Sequence, residues 1–130
     1  MQFVRFAVEV PGRDAARPMR GLFAHVKGLA DVGGLDEYDH ERWSEWRTWF
    51  EANCYMPSTA ELRASRDPRR SLFWFKDVSS AAVLLERSGE IVRFLESRGE
   101  TVRVLRSSDP GHITYEDDVQ VAAEPDLGNF

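Results

Sequence analysis

The sequence predicts an α+β fold: a mixed or antiparallel sheet of four to five strands with two to three helices on one face. Two patterns predict this class. Apolar residues alternate at a period of two in short segments near both ends of the chain, as in strands with one buried face. Between those segments, apolar residues recur at helical spacing over longer stretches. The expected order of elements is β-α-α-β-α-β-β-β.

The N-terminal part of the chain is predicted to hold one strand and one short helix. The strand spans 2–10, because every second residue from Val4 to Val10 is apolar. The helix is expected at 19–30, and Pro18 suits its first turn. Two glycines inside this segment weaken the helical pattern.

The following helix has a stronger pattern and is predicted at 39–54, with Asp39 as its N-cap. Trp43, Trp46 and Phe50 form one apolar stripe along it. Acidic residues lie mostly on the other side, and those near its start complement the helix dipole. We therefore expect one face of this helix to be buried and the other to be negatively charged.

An unbroken apolar run at Leu72–Phe75 predicts a strand buried on both faces, at the middle of the sheet. A helix is predicted next, at about 79–98, with Ser79 or Ser80 as its cap. Gly99 follows it, where a left-handed residue is favoured. The sheet and this helix are thus expected to form the centre of the core.

Three short strands are predicted to close the chain. The first spans 101–105, and the other two, at 112–116 and 119–123, form a hairpin. Asp117-Asp118 joins the hairpin, because aspartate favours tight turns.

Size and composition predict a single domain at 1–125 followed by a flexible tail at 126–130. No apolar run reaches the roughly 18 residues that cross a bilayer, and no signal peptide is recognisable. The only cysteine is Cys54, so an internal disulfide is excluded. These features lead us to expect a cytoplasmic protein.

The net charge of −5 bears on the class of partner. A negative protein is poorly suited to general nucleic-acid binding and to anionic membranes, because both require cations at the surface. It suits a basic protein partner. The sequence predicts no cofactor and no metal site, since it has no phosphate-binding glycine motif, no Cys-x-x-Cys pair and no zinc-binding helix motif. A catalytic function is therefore less expected than a binding function, and the sequence leaves the oligomeric state open.

The leading hypothesis is a small interaction protein of the inhibitor, immunity or anti-defence type. Three tryptophans in one helix exceed what a single buried stripe can cover, and Trp49 lies off the line of Trp43 and Trp46. An exposed tryptophan is a common anchor in protein interfaces. The residues predicted to bind the partner are Glu41, Glu45, Trp49 and Glu51.

The alternative hypothesis is a small enzyme or ligand-binding domain. Its predicted site consists of Trp74, Lys76, Tyr115 and Glu116, with Arg103 as an anion contact. This site requires a concave pocket in which Lys76 and Glu116 converge. The competing interpretation is structural, because Tyr115–Asp118 also fits the tip of a hairpin.

A third hypothesis is nucleic-acid binding by a basic segment. Four arginines occur close together, at Arg63, Arg66, Arg69 and Arg70. They could bind phosphate. No aromatic residues are interleaved with them, so a solvated connection is the expected structure.

Several segments carry a resemblance to other sequences. They are Phe73–Asp77, Leu95–Gly99, Val102–Arg106, Asp109–Asp117, Gln120-Val121 and Ala123–Pro125. Together they resemble a group of small bacterial proteins that occur in chromosomes and in mobile elements. The resemblance covers 72–125, less than half of the chain, and Trp49-Phe50 with Asn53 extends it. No activity is known for that group, so the resemblance implies a bacterial or phage setting and no particular site residue.

Overall fold

The structure is a computed structural model that describes residues 1–10, 19–62 and 70–125. In these ranges the chain forms six strands and three α-helices, with 3₁₀ turns at Thr59–Glu61 and Ser79–Ala81. In chain order the elements are β1 (Phe3–Glu9), β2 (Met19–Gly21), α1 (Leu22–Asp31), α2 (Glu37–Asn53), β3 (Leu72–Lys76), α3 (Ala82–Ser97), β4 (Val102–Ser107), β5 (His112–Glu116) and β6 (Gln120–Glu124). The α+β class is as predicted.

The six strands belong to one antiparallel sheet with the order β2-β1-β3-β6-β5, and β4 also pairs with β1. Strand β3 pairs with β1 on one side and with β6 on the other, so the predicted interior position of Leu72–Phe75 is confirmed. All five residues of β3 are half-buried, however. The prediction that this strand is fully covered on both faces is therefore wrong.

The predicted count of four to five strands is too low, because Met19–Gly21 forms β2 rather than the first turn of a helix. These three residues pair with Ala7–Glu9 of β1. Gly21 ends the strand and is also the N-cap of α1. Hydrogen bonds from a distant strand satisfy the backbone of this segment, so its tertiary environment overrides the local helical spacing.

The predicted helix starts need two corrections. Helix α2 begins at Glu37 with Asp36 as its N-cap, because Asp36 Oδ1 accepts a hydrogen bond from Asp39 N–H at 2.8 Å. The predicted cap, Asp39, lies in the first turn. Before α3, Val78 precedes the 3₁₀ turn and no side chain caps that turn, so the prediction of a serine cap is also wrong.

The chain divides into two compact units. The first consists of Met1–Arg5, Met56–Glu86 and Val104–Phe130, as far as these are described, and the second consists of Phe6–Tyr55 and Arg87–Arg103. Strands β1 and β4 and helix α3 each contribute residues to both units. The single domain at 1–125 stays a prediction, and the predicted tail at 126–130 lies outside the described residues.

In the first unit, the best-covered strand is β6. Val121, Ala122 and Ala123 are completely buried, which fits a strand with a neighbour on each side. In the second unit, the core combines aliphatic and aromatic side chains. The Trp46 and Phe94 rings lie 5.5 Å apart, and Phe23 meets Phe50 edge-on at 4.6 Å. No described helix has the length and apolar character needed to cross a membrane.

Gly111, which directly precedes β5, has a conformation that other residues cannot adopt without strain. Its φ is 113°, and a Cβ placed on it would lie 2.1 Å from the carbonyl oxygen of Glu124. We expect Gly111→Ala to lower the free energy of unfolding by more than about 3 kcal/mol, because it adds a backbone clash to the strain at positive φ. Urea denaturation followed by circular dichroism measures the loss.

Gly99 provides the matched control for this substitution. Its φ of 84° is also positive, but nothing lies within 4 Å of the added Cβ. Gly99→Ala should therefore cost only about 1–2 kcal/mol, the strain of a left-handed residue. Equal losses for the two variants would contradict the assignment of the clash at Gly111.

Candidate functional site

Helix α2 presents a row of polar and aromatic side chains on one side. Tyr38, Glu41, Glu45 and Trp49 are spaced three or four residues apart, so they share one face of the helix. We call these four residues the acidic stripe. Glu41 and Glu45 are both exposed, and neither forms an ion pair with another described residue. Two carboxylates on this face therefore have no ion pair within the described part of the chain.

Aromatic side chains lie at both ends of the acidic stripe. Tyr38 is 67% exposed. Trp49 is half-buried, with its ring 4.9 Å from the ring of Phe50 and 5.1 Å from the guanidinium of Arg87. Part of the Trp49 ring is thus already in contact within the second unit, and the rest faces outward.

The four residues predicted to bind a partner do not all share this face. Glu41, Glu45 and Trp49 lie within about 80° of one another around the helix axis, whereas Glu51 lies about 80° from Glu41, about 120° from Glu45 and about 160° from Trp49, at about 100° per residue. The structure adds Tyr38, which the sequence reasoning missed. Counting helical spacing back from Glu41 and Glu45 would have found it.

The orientation of α2 is fixed by contacts with the second half of α3. The Arg42 guanidinium lies 4.8 Å from the Trp46 ring and 5.3 Å from the Phe94 ring. Trp46 Nε1–H donates a hydrogen bond to Glu90 Oε2 at 3.3 Å. Trp43 and Trp46 are both buried, as expected for two of the three tryptophans. Trp43 and Trp46 are thus packed on the side away from the acidic stripe, whereas Arg42, four residues after Tyr38 and three before Glu45, lies beside the stripe with its guanidinium also 5.8 Å from the Tyr38 ring.

The alternative ligand site has its central pair in contact. Lys76 Nζ lies 2.6 Å from Glu116 Oε2, so the predicted convergence of these side chains occurs. Trp74 on β3 and Glu116 on β5 both pair with Val121 of β6, so their side chains lie on the same face of the sheet. Lys76 is two residues from Trp74 on β3 and therefore lies on that face too. Glu116 also lines a cleft of about 510 Å³, together with Ala60, Glu61, Ile113, Thr114 and Tyr115.

Two of the five residues of the alternative site have other contacts. Tyr115, the residue before Glu116, pairs with Ala122. Its hydroxyl donates a hydrogen bond to Asp117 Oδ2 at 2.8 Å. Arg103 belongs to the second unit, where its Nε donates to Glu9 Oε1 at 2.6 Å. The grouping of Trp74, Lys76 and Glu116 therefore does not include the proposed anion contact at Arg103.

Arg5 is a cation on β1, between the apolar residues Val4 and Phe6, and it belongs to none of the sites predicted from the sequence. Its side chain is half-buried, and its Nη1 donates to the Phe73 carbonyl oxygen at 3.3 Å. Desolvation by burial lowers the pKa of the Arg5 guanidinium. Within the described residues it has no acidic partner. No pattern in the sequence distinguishes it from a solvated arginine on an edge of β1.

Asp117 organises the turn between β5 and β6. Its Oδ1 accepts hydrogen bonds from the N–H groups of Val119 and Gln120, at 2.9 and 3.0 Å. Its Oδ2 accepts from the Tyr115 hydroxyl and the Gln120 amide, at 2.8 and 3.1 Å. Partial burial acts to raise the pKa of Asp117, but these hydrogen bonds together outweigh it and hold the pKa below its ordinary value. The carboxylate is therefore used for structure, as the hairpin interpretation predicts.

The predicted basic segment is mostly not described, because Arg63, Arg66 and Arg69 lie outside the described residues and only Arg70 lies within them. Nucleic-acid binding by this segment stays a prediction. In the described ranges, no group of three or more His, Cys, Asp or Glu side chains is arranged to hold a metal ion.

Comparison of the chain with protein-family models, curated proteins and solved structures finds no match. The resemblance of 72–125 to small bacterial proteins stays a prediction. The two groups of side chains described above are thus the observations that bear on function.

Replacing Asp117 tests its role in the hairpin. Asp117→Ala removes the acceptor of four hydrogen bonds and should lower the free energy of unfolding at neutral pH by about 1–3 kcal/mol. Because the pKa is lower in the folded state, this stabilisation is present above the unfolded value, near 3.8, and is lost as pH falls through the folded pKa. The difference between wild type and variant should shrink over that range in urea titrations at a series of pH values.

Asp118→Ala is the control for the hairpin experiment. Asp118 is exposed, is adjacent to Asp117 and has no hydrogen bond to another described residue. Its replacement should change stability by less than about 0.5 kcal/mol. A loss as large as that of Asp117→Ala would show that general charge, rather than the four hydrogen bonds, stabilises the turn.

Proposed function

We propose that this protein binds a protein partner with a basic surface, and that the acidic stripe of α2 is the contact surface. The observation that supports this most directly is the exposure of Glu41 and Glu45, without an ion pair in the described chain, between the aromatic rings of Tyr38 and Trp49.

Charge and aromatic area have separate roles in this proposal. The two carboxylates, with the net charge of −5, attract a basic surface and raise the rate of association. Desolvation of Tyr38 and Trp49 supplies affinity, since buried tyrosine and tryptophan are common hot spots. Residues 38 to 49 span about 16 Å along the helix, which suits a shallow basic groove.

This mode of binding suits a protein that acts by covering a basic site on another protein. We propose the inhibitor, immunity or anti-defence class on that ground. All three classes act by occupying a surface, so none of them requires a catalytic group in this chain.

Charge reversal on the acidic stripe tests the proposal. We expect the double substitution Glu41→Lys and Glu45→Lys to raise the Kd for the partner about 100-fold, equivalent to about 2.7 kcal/mol, because like charges would then meet across the interface. Both residues are exposed, so the fold should be preserved. Partners are captured with wild type, identified by mass spectrometry and purified, and their Kd values are measured by calorimetry at two salt concentrations.

Glu51→Lys is the control, and it is compared with the single variants Glu41→Lys and Glu45→Lys. Each of the three variants changes the net charge by the same amount. Glu51 is exposed on the same helix, about 120° around the axis from Glu45 and about 15 Å along the axis from Glu41. The control should bind the partner as wild type does. Equal weakening by all three single variants, or none by any, would overturn the proposal.

Trp49→Ala separates the aromatic contribution from the charge. Because Trp49 is half-buried, its truncation should destabilise the protein less than Trp43→Ala, in which a 4%-exposed ring is lost. The folded variant should bind the partner at least about tenfold more weakly. Thermal unfolding checks the first expectation and calorimetry the second. If Trp49→Ala fails to fold, the ring belongs to the core and its place in the stripe is wrong.

A further inference from the structure

Arg5 is a half-buried cation without a carboxylate partner among the described residues. Transfer of a guanidinium out of water costs several kcal/mol unless an opposite charge or several hydrogen bonds compensate. The described chain offers Arg5 one hydrogen bond, to the Phe73 carbonyl oxygen at 3.3 Å. The lowered pKa of Arg5 has desolvation as its cause. An anion beside this group would offset that cost.

A second unsatisfied donor lies on the neighbouring strand. The β1–β3 register pairs Phe3 with Lys76, and Arg5 and Trp74 each lie two residues from these on their own strand, so alternation places both on the face of Phe3 and Lys76. The indole Nε1–H of Trp74 is buried and has no acceptor within the described residues. Side chains directly opposite each other in antiparallel strands share one face, so both donors lie on the same face of the first unit.

Lys76 completes this group of donors. It lies two residues from Trp74 on β3 and therefore on the same face. Its side chain is only 12% exposed, whereas that of its partner Glu116 is 52% exposed. The largely exposed carboxylate can turn into water once another anion takes its place, whereas the ammonium stays buried and needs a negative partner. An incoming anion could therefore replace Glu116 at Lys76.

We propose that Arg5, Trp74 and Lys76 form a binding site for an oxyanion group, a carboxylate or a phosphate, and that Glu116 occupies Lys76 when no such ligand is bound. Two cations face one carboxylate in this group, so one positive charge is left for the ligand. The site shares no residue with the acidic stripe, which belongs to the second unit.

The test uses the full chain and two probes, inorganic phosphate and acetate, titrated separately by calorimetry at low ionic strength. Glu116→Gln should tighten binding about tenfold, because it removes the competing charge. Lys76→Gln and Arg5→Gln should each weaken binding at least tenfold. The indole N–H resonance of Trp74, assigned with Trp74→Phe, should shift as the probe is added. The tighter of the two probes identifies the preferred chemistry.

Arg106→Gln is the matched control, since Arg106 is an exposed cation of the same unit that pairs with Asp77 at 3.2 Å. It should leave the affinity unchanged. If Arg5→Gln does not fold, Lys76→Gln and Glu116→Gln still decide the question. The proposal is overturned if neither probe binds wild type or Glu116→Gln at millimolar concentration, or if Arg106→Gln weakens binding as much as Lys76→Gln does.

Discussion

The pairing of β1 with three other strands is the constraint on which the sheet depends. Strand β1 hydrogen-bonds to β2, β3 and β4, while the remaining strands join the sheet through β3. Seven residues must therefore satisfy the backbone of three partners and also supply buried side chains. Val4, Ala7 and Val8 are almost completely buried. A one-residue slip in this strand would exchange its two faces and disrupt every pairing at once.

Local patterns explain which parts of this fold could be predicted from the sequence. Helix α2, strand β3 and the turn at Asp117 depend on spacing and turn chemistry within a few residues, and their predicted positions agree with the structure to within about two residues. Strand β2 could not be predicted in this way, because three residues carry no periodicity of their own. It forms because Ala7–Glu9, in the preceding strand, offer it hydrogen bonds.

The candidate site residues also differ in whether local sequence patterns predict their positions. The shared face of Glu41 and Glu45 follows from helical spacing, which is visible in the sequence. The contact between Lys76 and Glu116 also needs β6 to pair with both β3 and β5, which alternation alone does not specify. The burial of Arg5 is not visible in the sequence, since it depends on how distant segments cover the strand. The two surfaces also differ physically. Exposed carboxylates act at long range and are screened by salt, whereas a desolvated guanidinium acts only on a group in direct contact.

The junction between β2 and α1 limits how this part of the chain can change in evolution. Gly21 is the last residue of the strand and the N-cap of the helix, so no connecting residue separates the two elements. An insertion or deletion there would turn α1 by about 100° about its axis and carry Leu22 and Val26 out of the core. Length variation among relatives should accordingly avoid this junction, while point substitutions remain tolerable on the outer side of α1.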